Sequence, residues 1–181
     1  MKEFFKKYGY TTIKMLVYQI ALSLFGWALA TAAIAAGRDG VKVVSAIFTI
    51  LFYLVLIYVM IWQEGARDRI SADYNKIPRR PYFGAFLGLV ASVPNLVLFL
   101  FIAVGEVVKG LAGFSGACKV IALLVEGVYV GLLSLKVGTA PLSSFWWSYL
   151  LITLPLIATC YLSYLAGFNN FRILPQSKKQ K

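Results

Sequence analysis

The chain has 181 residues, 60% of them hydrophobic and only 14% charged, where a soluble domain carries about 25% charged. That balance excludes an ordinary soluble enzyme, a disordered tail and a disulfide-stapled secreted domain. The net charge of +11 comes from basic residues placed between apolar runs and follows no nucleic-acid-binding module, so the expected partner is the lipid bilayer and not nucleic acid.

Charges are missing from residues 15–37, 43–63, 81–105 and 137–171. A helix crossing about 30 Å of hydrocarbon needs about 20 such residues. The expected fold is all-α: a polytopic helical membrane bundle forming a single domain over residues 1–181. It has four transmembrane helices plus one re-entrant or interfacial helical segment, with five spans as the alternative.

Residues 1–14 are amphipathic. Phe4, Phe5, Tyr8, Thr12 and Met15 share one arc of a helical wheel, and Lys2, Glu3, Lys6, Lys7 and Lys14 lie opposite. This suits a helix in the headgroup layer or a frayed basic terminus, and either reading makes the N-terminus cytoplasmic. The basic start and Ala33-Ile34-Ala35 imitate a signal peptide. The apolar run is too long for one and further spans follow, so the first helix, over 12–36, is read as retained. Gly37 suits its C-cap. Trp27, at mid-span, is read as packing. The short turn Arg38-Asp39-Gly40 makes the second helix, over 43–63, an antiparallel neighbour.

Residues 64–81 read as a cytoplasmic loop, because Arg67, Arg69, Lys76, Arg79 and Arg80 fall there beside membrane spans. Arg67, Arg69, Arg79 and Arg80 are candidate contacts for lipid headgroups or anions. Glu64, Asp68 and Asp73 are expected to pair with these cations and not to hold a metal. The third helix, over 82–105, carries Gly84, Gly88 and Ser92 at four-residue spacing, a small-residue strip that lets another helix approach. Pro94 should kink it, with Asn95 available to a freed carbonyl.

Residues 106–119 are Gly-rich and read as a flexible connection. The segment 119–136 is ambiguous, being apolar but interrupted by Glu126. A carboxylate in such a segment defaults to a functional hypothesis, proton or cation coupling or a substrate-binding acid. Its expected partners are Lys119 and Tyr129 on the same face. If the segment lies at the interface, Glu126 simply faces water. Gly127 and Gly131 form a GxxxG pair for helix packing. With four crossings, 13 of the 18 basic residues fall on the cytoplasmic side, which obeys the positive-inside rule better than five crossings do. The last helix is expected over 146–167, ending at Gly167, before a basic cytoplasmic tail over 168–181.

There is no histidine, and no nucleophile elbow, Walker motif or dinucleotide fingerprint occurs. No catalytic residue, metal ligand or cofactor site is therefore expected. The function expected from the residues is a non-catalytic membrane component or accessory subunit acting through helix packing, with a membrane-protein partner or a homo-oligomer. The alternative is a small transporter or channel using Glu126. The expected location is a bacterial plasma membrane.

Overall fold

A computed structural model describes residues 2–74, 82–108 and 110–171, with the side chains of residues 2–6 and 39 left aside. The described residues are all-α apart from one antiparallel pair of two-residue strands. Helix α1 runs from Lys2 to Ala35 and α2 from Asp39 to Asp73. Between them Gly37 takes φ +65°, a left-handed conformation in which a side chain would be strained.

Both helices are longer than the apolar runs that nucleate them. The amphipathic start is no separate interfacial helix, because α1 continues through Gly9. Its face formed by Tyr8, Thr11, Thr12 and Met15 is buried, and this packing stabilises the helix where Gly9 alone would weaken it. The expected loop over 64–81 is helical as far as Asp73. The buried series Tyr53, Ile57, Ile61, Gly65, Asp68 and Ala72 keeps helical period past the end of the apolar run. Arg67 with Glu64 and Arg69 with Asp73 pair along the outer face at 3.2 and 3.7 Å.

The third apolar run is two helices, α3 (Phe83–Ala91) and α4 (Val93–Val107), bent by 56°. Pro94 stands in the first turn of α4, where it lacks no bond it would otherwise make. At the break Ser92 Oγ donates to Gly88 O. The Gly-rich connection is shorter than expected, for α5 begins at Ala112 and runs to Val125. A 3-10 turn, Gly127–Tyr129, then leads into the short α6, Val130–Leu133, and this pair is bent by 87°. Strands β1 (Lys136–Val137) and β2 (Ala140–Pro141) follow, then α7 (Trp146–Leu151) and α8 (Leu154–Phe168). Gly167 does not stop α8. It sits where a Cβ would run into the Trp62 carbonyl of α2.

Helix α8 packs along α2 on one side and α3 on the other. α1 lies against α2 and the 3-10 turn, and α4 against α5 and α7. The core comprises Met15, Tyr53, Ile57, Ile61, Ile102, Leu133, Tyr149 and Tyr164 among others. Large apolar side chains such as Leu24, Val44, Leu100, Leu124 and Leu162 point outward from five different helices. Among the described residues, three helical stretches are long and apolar enough to cross a membrane, Lys7–Ala35, Gly40–Asp73 and Trp146–Phe168. Counting each bent pair as one span raises the number to five.

Candidate functional site

The inward face of α1 is polar at mid-helix. Gln19 Nε2 donates to Asn95 Oδ1 at 3.0 Å, joining α1 to α4 across the buried interior. Asn95 thus accepts from a neighbouring helix and does not serve a carbonyl freed by Pro94. One turn on, Ser23 Oγ lies 2.6 Å from Val125 O and 2.8 Å from Gln19 O. Trp27 Nε1 donates to Leu123 O at 3.0 Å. Two of the terminal carbonyls of α5 are therefore satisfied from α1, where the helix stops in the interior. Gly26 and Gly127 let the two backbones meet, since a Cβ on Gly127 would stand 2.5 Å from Ser23 O.

Glu126 occupies this elbow between α5 and the 3-10 turn. Its side chain is 1% exposed, so it does not face water. Its Oε2 has no hydrogen-bond partner among the described residues, and neither have the buried hydroxyls of Tyr53 and Tyr129. The rings of Tyr53 and Tyr129 meet edge to face with centroids 6.4 Å apart. Both phenols lie within electrostatic reach of Glu126 and of Cys160, and Tyr149 lies within reach of Glu126. Tyr53 comes from α2 and Tyr129 from the 3-10 turn that follows Glu126. Tyr149 is held by donating to Ser143 O at 3.1 Å. No Lys or Arg among the described residues comes to Glu126. An unpaired buried carboxylate costs several kcal/mol, about as much as folding can tolerate at one position.

A second polar cluster ties the other ends of the helices together. Asp68 of α2 is buried and accepts from Tyr8 Oη at 2.5 Å, Tyr164 Oη at 2.8 Å and Lys7 Nζ at 2.8 Å. One turn earlier Glu64 accepts from Thr11 Oγ1 at 3.1 Å. Asp68 therefore joins α1, α2 and α8, and its charge is met by an ammonium and two hydroxyls.

The residues singled out from sequence are distributed as follows. Tyr129 is brought to Glu126, but Lys119 is not. Lys119 pairs with Glu106 of α4 and donates to Ser144 O at 3.1 Å. Gly84 and Gly88 face α8, a Cβ on Gly88 lying 3.0 Å from Cys160 Cβ and Ile157 Cα. Ser92 is fully buried at the end of the same strip. Gly127 and Gly131 do not share one helix face. Gly127 abuts α1, while a Cβ on Gly131 would stand 2.8 Å from Ala46 Cβ of α2. Arg67 and Arg69 sit on the outer side of α2 in ion pairs with Glu64 and Asp73. Arg79 and Arg80 lie outside the described residues. Sequence reasoning missed Asp68, which was grouped with the loop acids. The signal was present in the uninterrupted helical period from Tyr53 to Ala72.

No protein-family model, no curated protein and no solved structure matches this chain.

Proposed function

We propose that this chain is a multi-pass membrane protein of the transporter type, in which Glu126 binds and couples a cation. The observation that carries this reading is the buried Glu126 carboxyl group at a helix break, with Oε2 left without a partner among the described residues. Ionisable groups inside apolar bundles mark ion and substrate pathways. Broken helices are where such sites are built. The accessory-subunit reading rests on small-residue faces offered to a partner. Gly26, Gly84 and Gly88 instead press on segments of this same chain, so those faces leave no room for another protein.

The topology that goes with this reading has four crossings, made by α1, α2, the α3–α4 pair and α7–α8. Helix α5 with the 3-10 turn and α6 forms a re-entrant element. Fourteen residues in α5 give a rise of about 21 Å, short of the roughly 30 Å of hydrocarbon, and the chain then turns by 87°. In this reading both termini lie in the cytoplasm and the membrane is the plasma membrane, and the excess of basic residues on the cytoplasmic side supports the orientation.

The test is ion flux into proteoliposomes containing the full chain, driven by an inside-negative potential, for protons, sodium and small organic cations. Glu126→Gln keeps the shape and removes the charge. Loss of a wild-type flux in this variant, with folding retained, supports the reading. Equal flux in both proteins, or none in the wild type, returns the chain to the accessory class.

A further inference from the structure

Helix α1 is held in two different ways along its length. In its second half the backbones meet. A Cβ on Gly26 would run into Gly127 O, and one on Gly127 would stand 2.5 Å from Ser23 O. Ser23 Oγ and Trp27 Nε1 add bonds to Val125 O and Leu123 O at 2.6 and 3.0 Å. This half is fixed to the break that carries Glu126.

The first half of α1 is held by side chains. Gly9 would bring a Cβ against nothing within 4 Å. Lys7 Nζ and Tyr8 Oη donate to Asp68 at 2.8 and 2.5 Å, Thr11 Oγ1 donates to Glu64 at 3.1 Å, and the Tyr8 ring lies 4.8 Å from that of Phe83. The body they reach is locked by close contact. A Cβ on Gly65 would run into Tyr164 O, one on Gly167 into Trp62 O and one on Gly84 into Tyr164 Cβ. Helices α2, α3 and α8 cannot part there without opening voids. The polar bonds from α1 can instead be exchanged for bonds to water. Between the halves, Gln19 bonds to Asn95 of α4. Gln19 lies about 6 Å along the helix from Ser23 and Tyr8 about 22 Å, so a small rotation at the Ser23 end disturbs the Gln19 bond little and carries Tyr8 off Asp68.

Resting on the transporter reading, we propose that α1 is a lever and Asp68 its latch. The first half of α1 swings off α2 and α8 about the Gly26–Gly127 contact. The swing opens the end of the bundle that the four-crossing topology puts in the cytoplasm, and the bonds to Asp68 hold that end closed. Because the pivot adjoins the elbow of Glu126, opening is coupled to what occupies that residue. Rocking of one rigid part against another around a central site is the usual form of alternating access.

The test joins α1 to α2 at the latch. In a chain with Cys118→Ala and Cys160→Ala, Thr11→Cys and Glu64→Cys are bridged by a short bis-methanethiosulfonate, which leaves the Asp68 bonds in place. Glu126-dependent flux into proteoliposomes should fall at least about tenfold, as when a required opening is blocked, and return on reduction. Ala66→Cys with Asn170→Cys, bridged in the same way, joins α2 to α8 inside the locked body and should leave flux unchanged. A second measurement uses no bridged pair. A single cysteine at Thr12, buried in α1, should react with an impermeant maleimide at least about tenfold faster when Asp68→Asn is added, as expected of local opening. A single cysteine at Ser163, buried in α8, should keep its rate. Flux unchanged by the first bridge, or lowered equally by both, overturns the lever and leaves the transporter reading standing. So does a Thr12 probe that fails to respond, or responds only together with the Ser163 probe. Absence of any Glu126-dependent flux in the wild type overturns both.

Discussion

Tyr8 and Asp68 are 60 positions apart, and the Tyr8 hydroxyl donates to Asp68 Oδ2 at 2.5 Å in the buried interior. The bond joins the first turns of α1 to the last turns of α2. Tyr164, from α8, donates to the same oxygen. Helices α1, α2 and α8 are thus stapled at one end through a single carboxylate. The other acid of the interior, Glu126, has no such set of donors. Among the described residues one buried acid is fully engaged and one is not, and the second is the candidate for an external ligand.

Replacing Asp68 with Ala removes the acceptor of two buried hydroxyls and of Lys7. The expected loss is about 3 kcal/mol, the scale of breaking a buried charge-assisted cluster. Lys7→Ala should cost under about 1 kcal/mol, because its side chain is 42% exposed and water takes over its solvation. Thermal unfolding in mild detergent distinguishes the two. Equal losses would mean that the ion pair, and not the phenol bonds, holds the helix ends.

Gly84→Leu and Gly88→Leu should force α3 off α8, because their Cβ positions are already filled by Tyr164 and Cys160. We expect a loss of about 2 kcal/mol or more for each, in the range of an overpacked core. Gly116→Ala is the control. Its Cβ would meet nothing within 4 Å, so the better helix former should be neutral or stabilise by up to about 1 kcal/mol. Melting temperatures of the three variants test the contrast.

Lys119→Gln breaks the pair with Glu106 and should change stability by less than about 1 kcal/mol, since both side chains reach the surface. Any flux that depends on Glu126 should be unchanged, because Lys119 faces Glu106 and Ser144. A Lys119 variant that reproduces the effect of Glu126→Gln would show that the two act together.

The proposed four crossings would put the connection after α4 and the C-terminal tail on opposite sides of the membrane. In a chain with Cys118 and Cys160 replaced by Ala, a cysteine at Val108 should react with an impermeant maleimide added to intact cells. A cysteine at Lys178 should react only after permeabilisation. Reaction of the Lys178 probe in intact cells would require an odd number of crossings.

Helical class, the apolar spans and the break at Pro94 were legible in the sequence, because they follow from local properties. Long uncharged runs can satisfy their backbone in hydrocarbon only as helix. The Gly84, Gly88 and Ser92 strip was legible for a similar reason, since four-residue spacing alone puts small residues on one face. Its occupant, α8, was not. Helix ends were misread wherever charge was taken to mean loop. Residues 64–73 are helical because their inner face, with Gly65, Asp68 and Ala72, has a place against α1 and α8 that no local pattern specifies.

The status of the two acids depended on tertiary structure altogether. From sequence, Asp68 sat among cations and Glu126 sat seven residues from Lys119. In the fold Asp68 turns inward to Tyr8 and Tyr164, while Lys119 turns away to Glu106. Residue type determines that a carboxylate in an apolar bundle must find a partner. Which carboxylate finds one is decided by side chains that are distant in the chain and adjacent only after the helices pack.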